Sequence, residues 1–563
     1  MNNFKKTNFI MSLSYFRKCS YPKKLYIVVI TFILGLITPH TMNAQSSNGA
    51  DNMITVSMQK RVKGDSTVSS YAIVSEIQQW NPKQTAIIIC DMWDKHWCKG
   101  ATARVSEMAP RLNEVLNIAR DKGVLIVHAP SDCMNYYKDH PGRKLAQKYY
   151  SKKYAKLINN AELPAEKNAT WPIDQSDGGC DDMIKCTEGH AWTKEIDALE
   201  IKDGDAISDS GAEIAALFDK KGIKNVILTG VHTNMCVIGR TFGLRSMARI
   251  GKNVVLMRDM TDAMYNSRKA PQVNHFTGVH LVVDYIEQYV CPTIVSTDFT
   301  GKKQFRFQDD KRPVVAFITA EGEYHANQTL PAFAHELMLH EGMNCEFAIG
   351  KPAMDGPGRH NLENLQVLQD ADLAVFFVRR VALEPQKMDM IKNYIKSGKP
   401  VLGIRTASHS FDAKGNVARE GGGITQSGES VSGFLAQWPE FDEEILGGNY
   451  QGHYGHLQEK TRIGIVPGME KHPLLKGVHP NGFGSVSWLY QNRPLRSAAT
   501  QVLLTGTIPN EPSEPVLWIN HTKYNNTVVY TSLGHHDDWK IPDFQQILVN
   551  SVHYLLNDSV KKQ

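Results

Sequence analysis

Short apolar runs alternate with amphipathic stretches over most of this chain, in two blocks. In the first block, residues 85–90 (TAIIIC) are continuously apolar, a helical pattern covers 108–122, and a second apolar run follows at 123–128 (GVLIVH). Further on, the pattern predicts a helix at 212–221, a strand at 225–230 (NVILTG), a helix around 240–250 and a strand at 253–258 (NVVLMR). A polar, Gly-rich insertion, roughly 136–200, interrupts this series. Between 297 and 311 the alternation stops, and the polar stretch TDFTGKKQFRFQDDK predicts a linker. A second series then runs through strands at 314–320, 373–378 and 401–404, with helices at 330–340 and 384–397. Irregular sequence containing GGG (421–423) follows, before a strand at 527–534 and a closing helix near 544–556. Strands that are apolar throughout, separated by amphipathic helices, specify parallel sheets covered on both faces. The expected fold is therefore α/β, as two doubly wound parallel-sheet domains at 83–296 and 312–563, joined by a linker at 297–311.

Composition narrows the class without changing this picture. The 563 residues are 42% apolar and 21% charged, which excludes a disordered, collagen-like or coiled-coil chain. Nine cysteines are too few for a disulfide scaffold. The formal charge of +5 is local in origin. Residues 1–44 hold Lys5, Lys6, Arg17, Lys18, Lys23 and Lys24 and no acid, then the apolar run LYIVVITFILGLIT, then Met42-Asn43-Ala44. This is the basic, apolar and small-residue order of a signal peptide. The 14-residue run is shorter than the about 20 residues a membrane span needs; an uncleaved signal anchor is the alternative. Cys19 precedes the apolar run, so no lipoprotein cysteine stands where one is needed. The expectation is an exported protein, periplasmic or secreted, with an N-terminal extension at 45–82 and no membrane anchor after processing. Without residues 1–44 the chain has 57 basic and 58 acidic residues, a formal charge of −1. No basic stripe or motif points to nucleic acid, and no Gly-rich dinucleotide fingerprint follows either first strand.

Parallel α/β sheets bind ligands outside the carboxyl ends of their strands. In the first block those positions hold Asp91, His128 and, in GVHTNMCV, Cys236. Cys236 is expected at the start of a helix, where the dipole favours a nucleophilic thiolate. Asp91 is the candidate general base. Residues 83–293 resemble the isochorismatase-like cysteine hydrolases, a family that includes nicotinamidases. The family's aspartate after the first strand matches Asp91, and its G-V-x-T-x-x-C-V motif matches Gly230, Val231, Thr233, Cys236 and Val237. The resemblance implies a cis Val231–His232 peptide, an oxyanion hole of backbone N–H groups near His232 and Cys236, and an oxyanion or substrate role for His232, Thr233 and His128. It also implies a catalytic lysine, but the matching stretch GDAISDSGAEI offers only Ser208, Asp209 and Ser210. Lys95, Lys194 and Lys202 are the candidate replacements in space. No cofactor is firmly implied; Asp94 and His96 are weak candidate ligands for a divalent metal. In an oxidising compartment Cys180 and Cys186 would close a polar loop as a disulfide, with a zinc site including His190 as the alternative.

The second block resembles the ThuA-like (trehalose-utilisation) domains, related in fold to class I glutamine amidotransferases. The resemblance rests on EGEYHAN (321–327), GKPVLGIRTASHSF (398–411), LGGNYQGHYG (446–455), and PVLWIN followed by VVYTSLGHHDDW. An amidotransferase needs a cysteine at the strand–turn–helix elbow, where this chain has Arg405. Thiol-dependent glutamine hydrolysis is therefore excluded there. The candidate pocket is Glu323, His325, Arg405, His409, His453 and His535, suited to an anionic or polyhydroxy ligand.

The leading expectation is an exported hydrolase acting on a small amide, ester or related carbonyl compound through Cys236 and Asp91, with a carbohydrate-related role for the second domain. Two alternatives stay open: a binding protein that lost the family lysine, or sugar-processing chemistry in the second domain. The expected partner is a small molecule, sugar-derived in the second case, and a homo-oligomer is compatible with the sequence.

Overall fold

The computed structural model describes residues 53–562 except 185, 188, 353–356, 414–421, 425–429, 433–434, 456–459, 480–482 and 499. The expected signal peptide (1–44), the start of the extension (45–52) and Gly421 lie outside the described residues. The first sheet is built from β1 (Ile54–Lys63), β2 (Tyr71–Trp80), β3 (Thr85–Cys90), β4 (Leu125–Ala129), β5 (Ala206–Ile207), β6 (Asn225–Val231), β7 (Asn253–Asp262) and β8 (Thr293–Ile294). Its order is β2-β1-β8-β7-β6-β3-β4-β5. The strands from β8 to β5 run parallel. Helices α1 (Lys99–Lys122), α2 (Gly211–Lys221), α3 (Leu244–Arg249) and α4 (His275–Tyr289) accompany it. All six residues of β3 are buried, because both faces of a parallel sheet are covered. Separate apolar cores lie on the two faces, one around Ile88, Leu228 and Phe218, the other around Ile87, Leu112 and Ile227.

The second sheet holds β9 (Val314–Ala320), β10 (Asn344–Ile349), β11 (Leu373–Val378), β12 (Val401–Ile404), β13 (Thr461–Ile465), β14 (Gly484–Ser485), β15 (Gln501–Thr507), β16 (Glu514–His521) and β17 (Thr527–Thr531). Its order is β10-β9-β11-β12-β17-β16-β15-β13-β14. The half from β10 to β17 is parallel, and the other half is antiparallel. Helices α5 (Ala326–His340), α6 (Pro385–Lys396) and α7 (Pro542–Lys562) accompany it, and again each face has its own core. Among the described residues no helix is long and apolar enough to cross a membrane.

Two features differ from the sequence expectation. The region 297–311 is not a solvated tether. It opens with a short helical turn, and Phe299 and Phe307 are buried in the first domain's core with Phe305 packed beside them. Asp310 and Arg312 are buried as an ion pair, 2.8 Å apart. The polar composition hid three aromatic side chains that need a surface to cover. The second difference is the hairpin β1–β2, which lies in the expected extension and pairs antiparallel with β8 through β1. Residues 49–563 form one compact unit, and the hairpin is shared within it. Ile54, Val56, Met58 and Trp80 join the first domain's core. Ile73 instead packs with Val315, Phe317 and Leu337 of the second.

An Ile73→Ala protein is expected to lose about 2–5 kcal/mol of stability, the usual cost of emptying a buried Ile site. Denaturant unfolding followed by tryptophan fluorescence would read this. An unchanged midpoint would mean that the hairpin merely rests against the second domain.

Candidate active site

Asp91 follows β3 directly and takes a left-handed backbone conformation, φ 47°. That turn is stabilised by the Asp91 N–H donating to Ala129 O and by its own Oδ1 accepting from Ser131 N at 2.7 Å. Beside it, one residue before the end of β6, stands Gly230, at φ 97°, where a Cβ would meet Cys90 O at 2.1 Å. Only glycine lets the two strand ends approach this closely. The Val231–His232 peptide is cis. Residues Thr233–Val237 then form one turn of π-helix, with Val237 N–H donating to His232 O at 3.1 Å.

Cys236 lies in this turn, half-buried, with its thiol beside the Asp91 carboxylate and the His232 backbone. It is not at the start of a regular helix, and the expected lowering of its thiol pKa is absent. Burial first, then the adjacent Asp91 carboxylate, push the thiol up to about 12. Asp91 is itself fully buried and held above the usual carboxylate range by desolvation, against the pull of Arg240, Cys236 and Ser131.

The cation beside this pair is Arg240. Its Nε lies 3.2 Å from Asp91 Oδ2, and its other end reaches Asp132 at 3.7 Å. None of the lysines considered from sequence takes that place. Lys194 pairs with Asp197 at 2.5 Å, Lys202 pairs with Glu200 at 3.1 Å, and Lys95 is exposed. Ser208 donates to Glu213, and Asp209 accepts from the Asp132 N–H. Arg240 was legible in principle: it follows Cys236 by four residues, one helical turn along the same face.

The flanking residues divide. His232 is buried, its Nε2 has no hydrogen-bond partner, and its imidazole is pushed down to about 3 by burial and the nearby His96. His96 meets it edge-on at 4.9 Å and stacks on Trp93 and Trp192, themselves stacked at 4.3 Å. These rings make an aromatic wall beside His232, and the sequence reading did not assign it.

Thr233 is fully buried, and its hydroxyl is used by Thr261 at 2.6 Å and Asp262 O at 2.9 Å, so it anchors the turn. His128 has no exposed surface, with Nδ1 2.6 Å from Glu195 and Nε2 3.3 Å from Asp205. It is a structural ion pair and not a substrate contact. Asp94 turns away from His96 to accept from Thr193 N and Oγ1, while His96 Nδ1 accepts from Cys98 N. The two candidate metal ligands are thus committed separately. Cys180 and Cys186 are both free thiols, not a mutual disulfide, and His190 packs tilted against Trp192 at 4.1 Å. Cys180 meets Cys98 instead, and Cys186 donates to Asp182.

In the second domain the candidate residues gather around Arg405. It follows β12 at φ 44°, is fully buried, and donates to Ser532 O at 2.7 Å, Trp488 O at 3.4 Å and Tyr324 Oη at 3.2 Å. The rings of Tyr324 and Tyr490 each stand 4.4 Å from its guanidinium carbon. His535 meets Tyr324 edge-on, His409 stacks on Tyr450 next to Tyr490, and His453 packs on Trp488. Glu323 accepts from Tyr324 Oη at 3.0 Å and pairs with Arg379 at 2.9 Å. His325 departs from this group: it bonds Gln328 and faces His536 on the outer side. Glu321 and Asp538 were missed. Glu321 accepts three backbone N–H groups of the loop at 322–326, and Asp538 gathers Ser485, Ser487, Gly534 and His535.

Comparison with known proteins agrees with this division. Residues 85–283 match the isochorismatase domain family, and residues 314–555 match the family described as trehalose utilisation. The chain thus joins an isochorismatase-like, hydrolase-like domain to a ThuA-like domain. No curated protein matches the chain. Among solved structures, a ThuA-like protein from Bacteroides uniformis is 17% identical, covering 44% of this chain and 92% of its own, with a TM-score of 0.31. A cysteine hydrolase from Pseudomonas syringae is 15% identical, covering 39% and 91%, with a TM-score of 0.25. N-carbamoylsarcosine amidase from Thermoplasma acidophilum is 12% identical, covering 32% and 84%, with a TM-score of 0.19.

Proposed function

We propose that this protein is an exported cysteine hydrolase acting on a small amide, ester or related carbonyl compound. The observation that carries this reading is the Asp91–Cys236–Arg240 cluster, in which Arg240 supplies the positive charge that the family lysine supplies elsewhere. The resting thiol is protonated, so Asp91 removes its proton as Sγ attacks the carbonyl carbon, in general-base rather than preformed-thiolate catalysis. Backbone N–H groups of the turn at 232–236 hold the developing oxyanion. Asp91 returns the proton to the leaving nitrogen or oxygen as its bond to carbon breaks. Water, deprotonated by Asp91, then attacks the thioester, and the Cys236 sulfur departs with that proton. The aromatic wall of Trp93, His96 and Trp192 suits a planar or apolar substrate group. The basic and apolar pattern of residues 1–44 supports export.

A second reading concerns the other domain. Among the described residues Arg405 pairs with no carboxylate; its partners are carbonyls, a phenol and two ring faces. This favours recognition of a sugar-derived carboxylate or hydroxyl cluster by the ThuA-like half.

Iodoacetamide labelling of Cys236, located by peptide mapping, is expected to abolish hydrolysis of small amides and esters in step with label uptake. A Cys236→Ala protein that folds and still hydrolyses at the native rate would place the chemistry elsewhere.

A further inference from the structure

The closest thiol pair is not the one its spacing in sequence suggests. Cys98, buried, stands immediately before α1, and Cys180, half-buried, lies in the insertion. Their sulfurs are 2.6 Å apart. Separate interactions bring the two segments together. The Asp182 carboxylate accepts from Lys99 N at 2.9 Å and Gly100 N at 3.1 Å, capping a helix whose own N-cap, Cys98, supplies no side-chain capping bond and instead turns its thiol toward Asp182 at 3.6 Å. Arg104 of α1 holds Asp181 at 2.9 Å. Trp97, Ala101, Met235 and Met264 pack around the two sulfurs. A metal held by Cys98, Cys180 and Asp182 is the competing occupant, since their ligand atoms lie within 4.8 Å of one another. The Asp182 carboxylate, however, already serves two α1 amides and the Cys186 thiol at 2.9 Å.

We propose that Cys98 and Cys180 are a disulfide-forming pair that staples the insertion to the start of α1. The oxidant is a disulfide, either a small molecule such as oxidised glutathione or the active disulfide of an oxidase. The Cys180 thiolate attacks one sulfur of that disulfide and expels a thiolate, leaving a mixed disulfide. The Cys98 thiolate then attacks Cys180 Sγ and expels the second. Two cysteine thiols are oxidised, one external disulfide is reduced to two thiols, and the two cysteine protons end on the leaving thiolates or in solvent. The staple bears on the first active site, because the insertion touches the nucleophile turn: Asn234 donates to Gln175 at 2.8 Å, and Met235 packs against the pair. It goes beyond the hydrolase reading and does not depend on it.

The test incubates the full chain with oxidised and reduced glutathione, traps free thiols with N-ethylmaleimide, and maps unreduced peptides. The expected product is a cross-linked peptide pair containing Cys98 and Cys180, with Cys186 alkylated. Dithiothreitol is expected to lower the melting temperature by about 5 °C or more, because the bond closes a long loop. Cys180→Ser should remove that response and Cys186→Ser should keep it; if Cys98→Ser fails to fold, the exposed-side variant Cys180→Ser gives the same reading. Independent alkylation of both thiols in the oxidised protein would overturn the proposal. So would a Cys180–Cys186 link, or stoichiometric zinc that protects both thiols without a cross-link.

Discussion

An Arg240→Met enzyme is expected to turn over its substrate about 100- to 1,000-fold more slowly, the usual consequence of removing one preorganised charge from a reacting centre. The route is through Asp91. Burial holds that carboxyl above its ordinary range, and Arg240 is the strongest influence pulling it back. Without the guanidinium, Asp91 keeps its proton to higher pH and is less able to accept one from Cys236. The rising limb of the kcat/KM–pH profile should therefore move to alkaline pH, and alkylation of Cys236 at neutral pH should slow. Arg240→Lys keeps the charge and should recover most of the loss. A methionine variant with the native rate and pH profile would show that Arg240 is only a surface partner of Asp91 and Asp132.

His128→Ala is expected to cost about 3–5 kcal/mol, because it leaves Glu195 and Asp205 facing each other in the interior with a single cation, Arg120. The pH dependence carries a sign. Despite desolvation, the two carboxylates raise the His128 pKa from 6.5 to about 9. A folded pKa above the unfolded one means the protonated ring stabilises the fold fully below about 6.5, and that contribution is lost as pH rises through about 9. Native stability should fall across that window, and the alanine variant should show a flatter curve there. Parallel curves in urea titrations at both pH limits would remove His128 from the account.

Much of this was legible along the chain, for a definite reason. The parallel strands β3, β6, β9, β11 and β12 are buried almost throughout and built on short apolar runs, and strand ends are where such sheets carry their chemistry, so Asp91, Cys236 and Arg405 could be singled out. What escaped depends on distant partners. α1 begins at Lys99, ahead of the helix expected at 108–122, where Asp182 caps it from the insertion. The hairpin β1–β2 and the antiparallel half of the second sheet are strands of mixed polarity, whose pairing shows only once the neighbouring strand is known. His128 occupies a strand-end position of the kind that holds ligands, yet two acids far along the sequence claim both its nitrogens.

The shared hairpin also bears on how the chain is made. β2 is the outer edge of the first sheet, and α5 of the second domain packs against it. Synthesis runs from the N-terminus, so Ile73 and this unpaired edge exist long before Val315, Phe317 and Leu337 are added to cover them. Until then the first domain presents the kind of open strand edge on which chains pair with one another. The ThuA-like half therefore acts as a built-in guard for its partner, and a first domain produced alone should be prone to self-association.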